Sequence, residues 1–462
     1  MSGEQHWPIP AGWIWAEAGA IGMVDLGRQR SPVNHTGPDM RPYVRSANIT
    51  WQGWDFSDVK AMNFNTSDFA TFQLRYGDVL LNEGSGSASE VGKPAVWLEQ
   101  IQDCCFQNTL LRFRSEVINP WYARAFFDFS ARAGHLVSHT QGVNIFHIGK
   151  RGLESFHLPV PPVSEQHRIV AKIDQLSARV TRAREELEAV RILGIRAKRF
   201  VLKSAFAGSL TGDLRGSSSL VGWRTLQLHD IAEIQTGITL GKQRSKDEPL
   251  VERPYLRVAN VQRGRIDLQD VKRIRITEKE YNRLRLCHGD ILMNEGGDRD
   301  KLGRGWVWHG QIEDCVHQNH VFRVRLRDKF YPPELISLYA NEFGQQHFLD
   351  QGKQTTNLAS ISKAKLATLP LILPPNNEAG ELLRRIEHSF AAIDRLAAEA
   401  RSARDALDKL DQAILAKAFR GELVPQDPND EPASVLLERI RAERAAAGPA
   451  PKRGRRPRGA AA

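Results

Sequence analysis

The sequence predicts an α+β protein: two similar mixed α/β domains, each followed by a long α-helix, the two helices pairing as a coiled coil. Three observations carry this. First, the chain repeats itself at an offset near 212 residues. Arg41-Pro42-Tyr43-Val44-Arg45-Ser46-Ala47-Asn48-Ile49 returns as Arg253-Pro254-Tyr255-Leu256-Arg257-Val258-Ala259-Asn260-Val261, and Gly77-Asp78-Val79-Leu80-Leu81-Asn82-Glu83-Gly84 as Gly289-Asp290-Ile291-Leu292-Met293-Asn294-Glu295-Gly296. Asp103-Cys104 with Gln107-Asn108 returns as Asp314-Cys315 with Gln318-Asn319. A period that long is a duplicated domain, since solenoid repeats run roughly 20–50 residues. Second, each copy leads into apolar residues spaced alternately by four and three, the mark of a helical seam. Third, before each seam lie short apolar runs between Gly and Asn turns, with few helical stretches.

The first domain spans 1–160. Asp78-Val79-Leu80-Leu81, Ala95-Val96-Trp97 and Thr109-Leu110-Leu111-Arg112-Phe113 read as strands, and 121–132 as a helix. A helix follows Pro161-Pro162 over 161–210, with Ser164-Glu165 as a start signal. Its seam is Ile169, Ile173, Leu176, Val180, Ala183, Leu187, Val190, Gly194, Ala197 and Val201. Residues 211–221, rich in Ser and Gly, read as a flexible linker. The second domain spans 222–373, with a helix over 333–343. Its helix over 374–422 carries Ile386, Ser389, Ile393, Leu396, Ala400, Ala403, Leu407, Leu410 and Ile414, Ser389 being the weak point. Here Pro374-Pro375 leads into Asn376-Asn377-Glu378-Ala379-Gly380. The Glu165-Gln166 pair is read as lost, which leaves this helix start open. Gly208 and Gly421 suit helix C-caps. Residues 423–462 hold a short helix around 433–447 and a basic tail. An isolated seam helix exposes an apolar stripe, and the nearest partner for each is its duplicate.

The 462 residues allow about three domain-sized units at roughly 150 residues each. The net charge is +10. A basic chain suits a polyanionic partner, most simply nucleic acid. Lys452, Arg453, Arg455, Arg456 and Arg458 account for five of those charges, leaving +5 elsewhere, so any contact on the folded part is a local patch. The motif Arg453-Gly454-Arg455-Arg456-Pro457-Arg458-Gly459 approaches a minor-groove hook, with an extra arginine spoiling its spacing. No signal peptide or membrane span is expected, and four cysteines without CxxC spacing argue against zinc and disulfides. Cytoplasm is the default location.

No catalytic constellation emerges. Asn119-Pro120-Trp121-Tyr122 lacks the second proline of an adenine-methyltransferase box and reads as a loop before a helix. The run from Gly86 to Lys93 is one residue too long for a phosphate-binding P-loop. His135 and His139 lack the intervening Glu of a metalloprotease helix. A binding surface is the better reading. Arg41, Tyr43, Arg45 and Asn48, their copies Arg253, Tyr255, Arg257 and Asn260, and the pairs Gln107-Asn108 and Gln318-Asn319 are residue types that reach phosphates and base edges. The alternative is that they satisfy buried backbone groups. Residues common to both copies cannot carry a difference between them. Any difference belongs to 22–40 against 233–252, 52–75 against 264–287, 85–91 against 297–302, and 132–143 against 344–356. There Arg28, Arg30, Lys242, Arg244, Lys246, Arg299, Lys301 and Lys353 are candidate contacts, the alternative being solvated surface charge.

These repeats, the Leu-x-[Val/Leu]-Pro-Pro step into Ser164-Glu165-Gln166-His167-Arg168-Ile169-Val170, and the ending Ala418-Phe419-Arg420-Gly421-Glu422-Leu423-Val424-Pro425 resemble the specificity subunits of Type I restriction-modification enzymes over about residues 7–445. The resemblance implies two target recognition domains, each binding half of a bipartite, asymmetric site on double-stranded DNA. It implies antiparallel long helices that hold the domains apart and dock two modification subunits. Those would bind S-adenosylmethionine and methylate adenine at N6. Restriction subunits would add ATP- and Mg-dependent translocation and cleavage. It implies no cofactor, metal or catalytic residue in this chain. Two further readings stay open: a coiled-coil scaffold without DNA specificity, and an enzyme with an unrecognised site.

Overall fold

Proline has no N–H for a sheet ladder and suits a helix start. Pro161-Pro162 and Pro374-Pro375 therefore close the last strand of each domain, and a helix follows at once. In the computed structural model, which describes residues 6–136, 146–241, 248–297, 302–351, 353–354 and 359–447, these helices are Val163–Phe206 and Asn376–Phe419. Each has 44 residues, roughly 66 Å at 1.5 Å per residue. The chain divides into two units, Met1–Glu186 with Ala403–Ala462, and Leu187–Ser402. Both boundaries fall inside the long helices, so each unit contains the start of one helix and the end of the other.

The two domains repeat one topology. The first has a four-stranded antiparallel sheet in the order Met23–Leu26, Leu110–Arg114, Val79–Asn82, Pro94–Val96. The second orders Ala232–Thr236, Val321–Leu326, Ile291–Asn294 and Gly305–Val307 likewise. The register is also shared: Phe113 faces Val79, and Val324 faces Ile291. A three-stranded sheet follows in each. Met40–Val44 lies between Lys60–Asn63 and a parallel Cys105–Phe106, and Leu250–Leu256 between Lys272–Thr277 and a parallel Val316–His317. Ile14–Glu17 pairs with His157–Val160, and Arg224–Gln227 with Pro370–Leu373, closing each domain beside its helix.

The helix Pro120–Arg132 starts where Asn119 caps it, its side chain accepting from the Trp121 (2.9 Å) and Tyr122 (3.3 Å) N–H groups. Its counterpart Pro333–Gln351 runs eight residues beyond the expected end at 343. These helices hold the ends of the long ones. Phe419 packs on Tyr122, Phe126 and Phe129, and Phe206 on Tyr339 and Phe343.

In each unit the long helices run antiparallel. Arg184 pairs with Asp408 (2.6 Å) and Asp411 (2.7 Å) in one, and Lys198 with Asp394 (2.6 Å) in the other. Gly194 faces Ile393 across the pair, where a Cβ would meet the Ile393 side chain at 3.4 Å, an ordinary contact. The seam is buried at Ile169, Ile173, Val180, Ile386 and Ile414. It is open elsewhere: Leu396 and Leu410 are 58% and 46% exposed, because a two-helix contact is narrow. Ser389 turns its hydroxyl back to the Arg385 carbonyl (2.8 Å).

One expectation needs correction. The first part of the expected linker, 211–215, is folded, while residues 216–221 are exposed. Gly212–Arg215 forms one helical turn, and Thr211 is buried. Of the Glu165-Gln166 pair, only the glutamine is missing from the second copy, where Ala379 stands in its place: Glu378 is third in its helix as Glu165 is in the other. Both are buried. Trp13 (2.9 Å) and Gln426 (2.6 Å) donate to Glu165. Thr211 (2.5 Å) and Arg215 donate to Glu378.

The copies differ in the core at one informative place. Phe106 in the first is His317 in the second, both fully buried. His317 Nδ1–H donates to the Val321 carbonyl (2.7 Å), and Nε2 has no partner among the described residues. Burial pulls its pKa down to about 4. The folded protein therefore holds it neutral while an unfolded chain binds a proton below about 6.5. Its contribution is complete above that value and lost as pH falls toward 4, on the order of 3 kcal/mol. In denaturant melts at stepped pH, His317→Phe is expected to abolish that part of the acid destabilisation. Phe419→Ala, which empties the aromatic clamp, is expected to cost about 3–5 kcal/mol in the same assay.

Candidate nucleic-acid interface

The repeated motifs build a frame, and the structure gives many of the shared residues the same task twice. Gly77 and Gly289 adopt φ +85 and +89, which favours glycine. The aspartate that follows is buried. Asp78 takes a two-point contact from Arg114 (2.5 and 2.6 Å) and the Arg75 N–H (2.8 Å). Asp290 takes Arg325 (2.7 Å twice) and the Cys287 N–H (2.6 Å).

Asn48 is 2% and Asn260 3% exposed. Asn48 accepts from Arg45 N–H (3.0 Å) and donates to the Asp55 (2.9 Å) and Asp58 (3.2 Å) carbonyls. Asn260 accepts from Arg257 N–H (2.9 Å) and donates to Asp267 (2.9 Å) and Asp270 (3.0 Å). Tyr43 and Tyr255 are buried as well. These four, contact candidates in the sequence, are largely internal, none of them more than 8% exposed.

The shared arginines are half-exposed but engaged. Arg41 pairs with Asp103 (3.0 Å) over the Phe69 ring, and Arg253 with Asp314 (3.3 Å) over Tyr281. Both aspartates sit at positive φ, 51 and 54. Arg45 shares Asp58 with Lys60, and Arg257 shares Asp270 with Lys272. Hydrogen bonds from Lys60 and Lys272, then the arginines, hold both carboxyls below the usual range. A phosphate must compete with these carboxylates for the arginines.

Arg28 is engaged too. It pairs with Asp68 (2.7 Å), donates to the Asn63 carbonyl and lies over Phe64. Arg30 is exposed and meets His35 (3.1 Å). Gln107, Asn108, Gln318 and Asn319 are half-exposed on turns. Lys242, Arg244, Lys246, Arg299 and Lys301 lie outside the described residues, as do the Lys353 side chain, His139 and the tail beyond 447. Of the remaining false leads, Lys93 pairs with Glu90 beside the short helical turn Ala88–Glu90.

Sequence reading missed a pair of carboxylate–histidine contacts. Glu83 meets His147 (2.9 Å), and Glu295 meets His320 (2.6 Å). The glutamates stand at one motif position. The histidines do not: His147 faces Gly84 across a strand pair, whereas His320 follows Asn319 on the turn. The motif glutamate was visible in the sequence, but its partner arrives by a different route in each copy. No group of three or more His, Cys, Asp or Glu able to hold a metal is found among the described residues. None of their helices is long and apolar enough to cross a membrane.

Because Asn48 and Asn260 are buried and each satisfy three backbone groups, their loss should be structural. Asn260→Ala is expected to lower stability by on the order of 1–3 kcal/mol in thermal or denaturant melts, and Asn48→Ala to do the same.

No family model matches the chain. It is 29% identical over 458 residues to the Type I restriction enzyme StySPI specificity subunit of Salmonella potsdam, covering 95% of this chain and 97% of that one. It is 27% identical over 454 residues to the EcoKI specificity subunit of Escherichia coli K12, with the same coverage. Among solved structures, a chain from a study of assembly and conformational transition of the type I R-M system superposes with a TM-score of 0.61 at 18% identity, over 90% of this chain and 100% of that one. The HsdS subunit of Thermoanaerobacter tengcongensis gives 0.54 at 19%, over 91% and 99%. These two likenesses concern the fold. Along 95% of its length, the chain is homologous to the specificity subunits of Type I restriction enzymes.

Proposed function

We propose that this chain is the DNA sequence-specificity subunit of a Type I restriction-modification assembly, without catalysis of its own. Each domain binds one half of a bipartite, asymmetric site on double-stranded DNA. The chain docks two modification subunits and, with them, the restriction subunits. S-adenosylmethionine, ATP and Mg belong to those partners. The observation that carries this reading is the near full-length homology to subunits named for specificity, in a chain whose two domains share a frame and differ in their loops.

The frame explains how two readers differ on one scaffold. The shared arginines, aspartates and asparagines hold loops in place, and sequence discrimination falls to the segments between them. Arg30 on the segment after Arg28 is exposed and, among the described residues, meets His35 and no carboxylate that a phosphate or a base edge must displace. Docking is supported by apolar side chains left outside the helix pair. Leu193 and Phe200, seven residues apart and so on one face of the helix, are 58% and 70% exposed. Large exposed apolar groups clustered on one helix suit a protein partner.

The purified chain alone is expected to bind duplex DNA with an affinity that falls steeply with salt, and to transfer no methyl group. Methyl transfer in the absence of every partner overturns the proposal. Phe200→Glu is expected to weaken association with the modification subunit about tenfold or more, the loss of one buried aromatic contact. DNA binding by the isolated chain should not change. Unaltered assembly would remove this helix face from the docking surface.

A further inference from the structure

One turn in each domain is held on every backbone side and leaves its amide side chains unused. In the first domain Gln107 N–H donates to Val44 (3.0 Å), Asn108 N–H to Arg28 (3.0 Å), Leu110 N–H to Gln107 (2.9 Å) and Glu83 N–H to Thr109 (2.9 Å), all to carbonyls. In the second, Gln318 N–H donates to Leu256, Asn319 N–H to Ile238, Val321 N–H to Gln318 and Glu295 N–H to His320, each at 2.9 Å. Gly27 and Gly237 permit the approach: a Cβ would lie 2.2 Å from the Gln107 carbonyl and 2.0 Å from that of His317. The same four contacts therefore fix both turns.

The side chains on this rigid support are nearly unengaged. Among the described residues, Gln107, Asn108 and Gln318 make no side-chain hydrogen bond, and Asn319 meets only His320, at 3.5 Å. This contrasts with Arg41, Arg45, Asn48 and their copies, which are all partnered. Beside each turn stands a carboxylate, Glu83 held by His147 or Glu295 held by His320. An anion there opposes a phosphate and favours an edge that carries an amino group. A side-chain amide supplies one donor and one acceptor, which match adenine N7 and N6 in the major groove.

The geometry points to a shared base reader: Gln107-Asn108 beside Glu83, and Gln318-Asn319 beside Glu295, each take an adenine edge that the two half-sites have in common. This rests on the DNA-reading function proposed above and goes further. Two matching turns cannot tell the half-sites apart. They read what is common to both, and the divergent segments read the rest.

The test is selection from a random duplex library with the full chain, followed by binding at several salt concentrations. Asn108→Ala and Asn319→Ala leave every backbone contact of the turns in place. The wild-type chain is expected to enrich a two-part motif with an adenine in each part. Asn108→Ala should relax that adenine in one part only, by roughly 5- to 150-fold, and Asn319→Ala in the other. The salt slope should not move. Asn108→Asp, which loses the donor to N7, should shift the preference toward cytosine, whose amino group a carboxylate accepts. An unchanged motif overturns the inference, whether affinity stays the same or falls uniformly with a salt slope reduced by about one, as for a phosphate contact. A wild-type chain that enriches no motif overturns the DNA-reading function itself, and the inference with it.

Discussion

A buried carboxylate in the first turn of each long helix is the interaction on which the architecture depends. Unsatisfied N–H groups and the helix dipole favour an anion there, but burial opposes the charge and pushes the Glu165 carboxyl up. The site is stable only with donors arranged around it. For Glu165 these come from Trp13 near the chain start and from Gln426, beyond the end of the other long helix. For Glu378 they come from Thr211 and Arg215, just beyond the end of the first. Each helix start is thus closed by the segment that leaves the other helix end. This is why residues 211–215 fold instead of hanging free. It is also why Ala433, Leu436, Leu437 and Ile440 join the core of the first unit, hundreds of residues from their neighbours in sequence.

Duplication preserves the frame while letting its details drift. Arg112 and Arg323 occupy one position on paired strands, both buried, and both donate to carbonyls at the end of a short helix. Arg112 serves Thr71 and Gln73 at the end of Thr66–Phe72, and Arg323 serves Arg283 and Arg285 at the end of Glu278–Leu284. Arg112 also has Asp25 (2.7 Å). At the matching place the second copy has Gln235, so there the guanidinium donates to the carbonyls without that paired carboxylate. A cation at a helix C-terminus is favourable with or without an ion pair. The carboxylate is therefore free to change, whereas the arginine has a fixed role.

Much of the fold was legible because it is written in periodicity. The three-and-four spacing gave both long helices to within a few residues, and the doubled motifs gave the two domains. Position in space was harder. Nothing in the pattern Arg-Pro-Tyr-x-Arg-x-Ala-Asn distinguishes an outward arginine from one facing Asp103, or a base-reading asparagine from Asn48, whose amide holds Asp55 and Asp58. That depends on residues 7 to 62 positions away, which no local spacing reveals. At Glu378 the local pattern is equally mute: its distance from the two prolines matches that of Glu165, but Asn377 and Ala379 do not resemble Ser164 and Gln166, so the sequence leaves this helix start open.

The frame also explains how an exposed segment can change without unfolding its domain. The segment after Arg28 in the first domain begins at a fixed post: Arg28 N–H donates to Phe106, and its side chain is held by Asp68. It ends at another, where Asp39 N–H donates to the Asn63 side chain (2.7 Å) and Phe64 N–H to the Asp39 carbonyl (2.8 Å). Between them lie exposed Arg30 and Val33, the latter 84% exposed. The entropy of closing a loop between fixed posts rises only slowly with its length. Substitution or lengthening here therefore costs the domain little, while the posts return the chain to the same sheet. Stability resides in the partnered, shared residues, and variation is tolerated in the exposed ones between them.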